Sequence, residues 1–527
     1  MSHTMAGPYW EQFIEAMESE INDLEKHGTW IEVDKTSMPE GENLLPTTWA
    51  YKVKRYPDGR LRKFKSRFVA RGDRQIEGVD YEDKYAPVVA WSTVRLVMTL
   101  SIHLGWETRQ IDFGNAFVQA DLNEDVYLNL PPGFTGEHGD RQNRVLKLKK
   151  SLYGLVQAPK TWYDHLSEAL NRLGYQSSQN DSCMFMGNEL ILLVYVDDIL
   201  VFGPSDTLID KALEDLKIEK MEFTEESDVY AFLGVQVDKG ESTGEITLTQ
   251  TGLIDKIIKA TGLEDANQKH TPAVAVPLSA DLDGESYREE WNYASVIGMM
   301  MYLASNSRPD IQFAVHQCAR FTHMPKKSHS EGVKRIVRYL LGTRECGLTF
   351  LPDSNMKLDC YVDADYAGLW KYEDDQDPVS VKSRTGYVMT LGKCPLIWSS
   401  KLQTEIALST LEAEYIAMSQ SMRELIPLRR LLEELGKTLE LDFTKPVLIH
   451  STVFEDNNGA LGLAESPKLT PRTKHIGIKY HWFRDKIGKD RGIELAKIAS
   501  VDQKADIFTK GLTEETFRVI RKLLMGW

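Results

Sequence analysis

Leu190-Ile-Leu-Leu-Val-Tyr-Val-Asp-Asp-Ile-Leu-Val-Phe202 is a nearly continuous apolar run broken only by Asp197 and Asp198. Two apolar arms around a central acidic pair predict a buried hairpin with both carboxylates at its turn. An ionised carboxylate taken out of water loses several kcal/mol of hydration, so the pair calls for cations or hydrogen-bond donors. Taken alone, the string also reads as a solvent-exposed turn. Further out, a short strand at Thr108 to Asp112 ends in an acid that by itself reads as a strand end or a helix cap. Transfer of a phosphoryl group to a growing chain uses two divalent cations about 4 Å apart, held by carboxylates. Magnesium prefers such hard oxygen ligands. Asp112, Asp197 and Asp198 are therefore a candidate metal set.

Around this core the pattern is mixed α/β. Trp10, Phe13, Met17, Ile21 and Leu24 have helical spacing, and Trp49 to Val69 alternates on both sides of Pro57-Asp58-Gly59, a turn signal. Between Lys52 and Arg74 lie ten basic residues, including Lys65, Arg67 and Arg71, against Asp58 and Asp73 alone. A local basic face thus sits inside a chain of net charge −15, which argues against a general nucleic-acid coat protein. Helices are expected at Ser92 to Leu104 and Tyr163 to Leu173, a linker at Val274 to Glu285, and a helical region from Trp291 to Leu341. That region carries a second basic stretch, Lys326, Lys327, Lys334, Arg335 and Arg338. Strands at Lys357 to Val362, Thr385 to Leu391 and Val447 to Phe454, with a helix at Leu411 to Leu435, fit a separate small α/β domain.

The chain's 527 residues imply several folding units. No apolar stretch reaches the about 18 residues of a membrane span, and the first ten residues carry no leader pattern, so an intracellular protein without a membrane partner is expected. The five cysteines form no C-x-x-C pair, which supports neither zinc nor a disulfide framework. The acidic run Glu373, Asp374, Asp375 and Asp377 reads as a solvated loop.

The strings FKSRFVARGD (Phe64 to Asp73), QIDFGNAFVQADL (Gln110 to Leu122), LKKSLYGLVQAPKTW (Leu148 to Trp162), YVDD (Tyr195 to Asp198) and FLGV (Phe232 to Val235) closely resemble, in order, the reverse transcriptase of copia-type LTR retrotransposons. The resemblance implies that Asp112, Asp197 and Asp198 hold the polymerase metals and that Lys65 and Arg67, with Arg71 as a further candidate, contact the incoming triphosphate. It also places Phe117 under the sugar, Gln157 near template and nucleotide, and Leu233-Gly234 in the primer grip. Without it, Phe117 reads as a core aromatic, Gln157 as part of a helix-entry turn, and Lys65 and Arg67 as exposed strand residues.

YVDADYAG, STLEAEYIA, EDNNGAL and KADIFTK resemble the ribonuclease H domain of the same elements. This implies a second two-metal site on Asp363, Glu414, Asp456 and Asp506. Glu414 is preferred to Glu412 because its Glu-Tyr-Ile-Ala string matches the family. Two residues apart on a helix, the two acids face about 200° apart, so both do not reach one metal. His475 and His481, in a string the family shares, are read as packing or surface residues.

What the resemblance implies overall is a right-hand polymerase of fingers, palm and thumb followed by a ribonuclease H-like domain. The expected boundaries are 1–240 for fingers and palm, 241–350 for thumb and connecting helices, and 351–527 for the ribonuclease. The implied cofactor is Mg2+, with Mn2+ as an alternative, two per site, and the substrates are deoxynucleoside triphosphates. Implied partners are an RNA template, a DNA primer, the RNA-DNA hybrid, a second copy of the chain as a homodimer, and, in a full element, capsid and integrase. The implied location is cytoplasmic, in a virus-like particle, with a nuclear stage. A decayed or domesticated copy that only binds nucleic acid or assembles with proteins is the alternative, against which stand all seven acids.

Overall fold

The computed structural model describes residues 9–55, 61–134, 141–226, 229–240, 244–288, 290–351, 356–370, 379–440, 449–466 and 475–527. The chain divides into two compact units, Met1–Val89 with Thr108–Asp228 and Ala90–Glu107 with Val229–Trp527. The Pro57-Asp58-Gly59 turn and the acidic run at 373–377 lie outside the described residues.

The first unit is built on a six-stranded sheet in the order Thr224–Glu226, Glu107–Asp112, Asp198–Gly203, Leu190–Tyr195, Met184–Gly187, Gln176–Ser177. The expected hairpin is its centre, with Leu193 opposite Leu200 and Tyr195 opposite Asp198. Its arms are apolar at successive positions because both faces are covered. Leu192, Val194, Ile199 and Val201 share a core with Trp162, Leu166 and Leu170 of helix Ala158–Arg172 and with Ile209, Leu213 and Leu216 of helix Asp206–Ile218. Pro159 stands in the first turn of helix Ala158–Arg172, where a missing N–H costs nothing, so that helix begins earlier than its hydrophobic spacing alone indicates. The basic stretch forms the hairpin Thr47–Arg55 with Leu61–Ala70. Its Trp49, Phe68 and Ala70 pack against Met17, Ile21 and Leu24 of helix Trp10–Lys26.

The second unit opens with the hairpin Ala231–Phe232 and Val235–Lys239, which joins Ile246–Thr249 and Leu348–Phe350 in a four-stranded sheet. Helices Tyr293–Asn306, Gln312–Ala319 and Lys327–Gly342 form the expected helical region. A five-stranded sheet follows in the order Cys394–Leu402, Arg384–Leu391, Leu358–Asp365, Ser451–Glu455, Ile493–Lys497, with the first three antiparallel and the last two parallel. Fold class is thus mixed α/β throughout.

Helix Trp91–Leu104 belongs with the second compact unit. Its fully buried Arg95 donates to the carbonyls of Leu396, Ser305 and Asn306 and lies 4.2 Å from the Trp398 ring centroid. The second basic stretch is met by acids, a hydroxyl and a carbonyl of its surroundings. Lys334 pairs with Glu290 and Glu331, Lys327 pairs with Glu285, Arg335 donates to Thr271, and Arg338 donates to the carbonyl of Asn267. Among the described residues no helix is long and apolar enough to cross a membrane.

Candidate active sites

The Val196-Asp197 turn joins the two apolar strands in two residues, with φ +55° at Val196 and not at Asp197. Positive φ at the first central residue only is the type II′ pattern, a position that favours glycine. A β-branched side chain there stores about 1–3 kcal/mol of strain and persists only where its surroundings over-determine it. Two bonds supply that restraint. Trp162 Nε1 donates to the carbonyl of Val196 at 2.6 Å, and the Phe113 N–H donates to the carbonyl of Asp197 at 2.8 Å. The second bond ties the turn to the residue after Asp112. Asp112 and Asp197 are thereby neighbours, and burial together with the Asp112 charge raises the Asp197 carboxyl above its usual range. Neither acid has a salt-bridge partner among the described residues. Asp198, on the adjoining strand, accepts from Gln110 Nε2 at 3.4 Å.

Lys65 and Arg67 share one face of strand Leu61–Ala70. Lys65 stands directly opposite Lys52 and Lys63 opposite Lys54, an arrangement that destabilises the hairpin unless an anion lies against it. Burial and the neighbouring cations lower the Lys65 pKa. Arg67 Nε is buried without a hydrogen-bond partner among the described residues, and its guanidinium lies 4.2 Å from the Tyr153 ring centroid. Arg71, by contrast, is held in a two-pronged pair with Asp73, at 2.7 Å on each arm. Phe117 is half-buried and meets Tyr153 edge-on, 4.7 Å between ring centroids. Gln157 is buried, and both of its amide atoms are engaged: Nε2 donates to the carbonyl of Asp80, and Oε1 accepts from Gln75. Its amide braces the 75–80 loop instead of opening toward a ligand. In the second unit, Leu233 and Gly234 form a two-residue turn with φ +51° and +77°, the type I′ pattern, and the Leu233 carbonyl accepts from Tyr302 at 2.5 Å.

The second acid cluster also grows from strand register. Leu358 is level with Ser451 on adjacent parallel strands, so Asp363 and Asp456, each five residues on, emerge together at the same sheet edge. Helix Thr410–Thr438 packs over Leu358–Asp365 and delivers Glu414 from its first turns. One oxygen each from Asp363, Glu414 and Asp456 lies within 4.8 Å of the others. Burial and the surrounding acids drive the Glu414 pKa strongly upward. Its Oε2 is buried with no hydrogen-bond partner among the described residues. Such an orphaned, hard-oxygen donor set fits a divalent cation. Asp506 is not part of this trio: it pairs with Lys510 at 2.9 Å, and Lys510 Nζ reaches Asp363 at 3.9 Å. Thr509 Oγ1 donates to Asp363 at 2.5 Å.

Glu412 faces elsewhere. It accepts from the Leu408 N–H at 2.8 Å and sits 3.2 Å from His475 Nε2, while Ser409 caps the helix by accepting from the Glu412 N–H. His481 is hydrogen-bonded to the Tyr415 hydroxyl at 2.7 Å. Two residues at these sites went unforeseen. Glu455 is fully buried, its Oε2 has no partner among the described residues, and its charge bears on Glu414. The signal available was strand alternation, which places Glu455 on the inward face with Val453. Tyr153 sits in the quoted LKKSLYGLVQAPKTW string, but nothing in its spacing marks it.

Residues 29–275 match the family described as reverse transcriptase (RNA-dependent DNA polymerase). The chain is 35% identical over 512 residues to the retrovirus-related Pol polyprotein from transposon RE1 of Arabidopsis thaliana, covering 96% of this chain and 33% of that protein. It is 33% identical over 538 residues to the corresponding polyprotein from transposon TNT 1-94 of Nicotiana tabacum, covering 99% and 38%. The chain therefore spans about a third of the length of these curated relatives. A foamy viral protease-reverse transcriptase solved with double-stranded DNA aligns with TM-score 0.47 and 13% identity, over 92% of this chain and 69% of that one. Residues 29–275 match a reverse transcriptase (RNA-dependent DNA polymerase) domain, and over nearly its whole length the chain is homologous to copia-type transposon Pol polyproteins.

Proposed function

We propose that the chain copies an RNA template, and then a DNA one, into DNA and hydrolyses the RNA strand of the resulting hybrid. The observation that carries the polymerase half is the restrained Val196-Asp197 turn, which holds Asp197 beside Asp112 with no salt bridge to either among the described residues. Asp112, Asp197 and Asp198 would hold Mg2+ or Mn2+. When bound, such ions lower the cost of the charge that develops at the attacking and leaving oxygens. The chain's own residues do the rest. Lys65 and Arg67 present positive charge to a triphosphate, Phe117 limits the space beside the sugar, and Gln157 positions the Leu148 to Trp162 segment through its bonds to Asp80 and Gln75. Leu233-Gly234 is the turn assigned to the primer.

The ribonuclease half rests on the convergence of Asp363, Glu414 and Asp456. Asp506, now paired with Lys510, would complete the set when a cation displaces the lysine. A template, a primer and their hybrid are the proposed nucleic-acid partners. A second copy, capsid and integrase belong to the longer polyprotein context, as does a cytoplasmic particle with a nuclear stage. The test is primer extension on a labelled RNA template with Mg2+, followed by sizing of the RNA. Extended DNA with shortened RNA is expected. Nucleic acid bound without extension supports the binding-only alternative instead.

A further inference from the structure

Tyr153 touches both residues assigned to the nucleotide. Its ring is edge-on to Phe117 at 4.7 Å between centroids, and the Arg67 guanidinium lies 4.2 Å from its centroid. The backbone fixes that ring in place. The Tyr153 carbonyl accepts from the Ala70 N–H at 2.9 Å, locking this loop to the end of the basic hairpin. Gly154 adopts φ +93°, and a Cβ there would stand 2.1 Å from the Ala70 carbonyl oxygen, so only glycine permits this approach. Gly72 makes the reciprocal contact, where a Cβ would stand 2.0 Å from the Gly154 oxygen. Two glycines thus draw the loop and the hairpin together at the point where Tyr153 emerges.

The hydroxyl has no hydrogen-bond partner among the described residues, although the residue is largely enclosed. Burial, with the charges of Asp197 and Asp112 beside it, pushes its pKa up to about 12, so it stays a protonated donor. A half-buried donor on a ring stacked against an arginine suits an oxygen of a phosphate lying against that arginine.

We propose that Tyr153 is a nucleotide-contacting residue of the polymerase site, whose ring holds Phe117 and Arg67 in register and whose hydroxyl donates to a phosphate oxygen of the incoming nucleoside triphosphate. The inference rests on the polymerase function proposed above. It assigns two separable tasks, one to the hydroxyl and one to the ring.

Single-nucleotide insertion by the full chain, with Mg2+ and a primed template, separates them. Tyr153→Phe keeps the ring, so KM is expected to rise about tenfold, as for loss of one hydrogen bond to a charged group, with kcat within about twofold. The rise is expected for a deoxynucleotide and for its dideoxy counterpart alike, because the bond goes to phosphate. Tyr153→Ala also removes the support of Phe117, so discrimination against ribonucleotides is expected to fall roughly fivefold or more. A Tyr153→Phe enzyme with the parent's KM overturns the proposal, and so does a KM rise confined to the deoxynucleotide, which would put the bond on the 3′-hydroxyl. A parent chain that inserts no nucleotide overturns the polymerase function and this inference together. A parent that inserts normally beside an unchanged Tyr153→Phe overturns this inference alone.

Discussion

Glu414→Gln removes one charge from three carboxylates whose oxygens lie within 4.8 Å of one another, while keeping the side chain's size. Two like charges at that separation repel by about 3 kcal/mol at an effective dielectric of about 20, taking 332/(εr). Near neutral pH the metal-free parent escapes that repulsion only by keeping on Glu414 a proton that the unfolded chain releases, so the mutant should gain up to about 3 kcal/mol of stability. The same change removes an anionic ligand, so the rise in Tm on adding Mg2+ should shrink, and cleavage of a labelled hybrid should fall at least about a hundredfold. DNA synthesis should continue, since the polymerase acids lie in the other compact unit. Glu412→Gln is the control. Glu412 accepts from the Leu408 N–H at the helix start, so its loss should cost about 1 kcal/mol of stability and leave cleavage within a few-fold. Melting curves with and without Mg2+, and a hybrid-cleavage assay on both variants, decide the matter. The assignment is refuted if Glu412→Gln is inactive while Glu414→Gln cleaves, or if Glu414→Gln keeps the parent's full Mg2+-dependent rise in Tm.

Asp197→Asn with Asp198→Asn preserves the hairpin but removes most of the ligand charge, so extension should fall by several orders of magnitude while ribonuclease activity survives. Retained extension on RNA or DNA templates would remove both acids from the site. Phe117→Val opens the space beside Tyr153 and should relax ribonucleotide exclusion roughly tenfold in a folded enzyme, read from the ratio of kcat/KM values. An unchanged ratio would make Phe117 a packing residue. His316 is half-buried and hydrogen-bonded to Gln312, and burial with the charges of Arg384 and Lys401 pushes its pKa from 6.5 to about 4. Because the folded value is lowered, its neutral form supports folding above pH 6.5, and that support is lost as pH falls toward 4, by up to about 3 kcal/mol. His316→Asn should flatten this acid limb in pH-dependent melts, and an unaltered limb would assign the loss to other groups.

The elements that could be read from sequence are those in which periodicity and burial agree. Leu190 to Phe202 is apolar at successive positions because its side chains are buried on both faces, one of them covered by helices Ala158–Arg172 and Asp206–Ile218, and it folds as the expected hairpin. Strand Cys394–Leu402 was not anticipated, since Pro395 and the polar Ser399, Ser400 and Lys401 break the alternation. Yet it pairs with Arg384–Leu391 along its length, and the packing of a sheet overrides such local signals. The partners of the second basic stretch could not be read locally, since two of the acids that pair with it, Glu285 and Glu290, arrive from a separate segment. Gln157 shows the limit of motif transfer. The string is present, but what the amide touches is decided by the Gln75 to Asp80 loop, about eighty residues away.

Local rules fail most clearly at the sites themselves. Val196 and Leu233 adopt positive φ, and each sits beside a residue assigned to chemistry or to the primer; Asn115, two residues before Phe117, does so as well. Valine is among the worst choices for that conformation, and an unsupported turn of this sequence would open to relieve the strain. It stays closed because Trp162 and the Phe113 N–H hold two successive carbonyls. The strain is thus a consequence of fixing Asp197 against Asp112, and propensity alone does not reveal such a turn. What reveals it is the pairing of an acidic doublet with two apolar arms, because the cost of placing charge there requires a compensating partner. At the second site register achieves the same result without strain. Parallel strands in step carry Asp363 and Asp456 to one edge, and the helix start adds Glu414. Both solutions bring carboxylates together, an arrangement that suits a divalent cation.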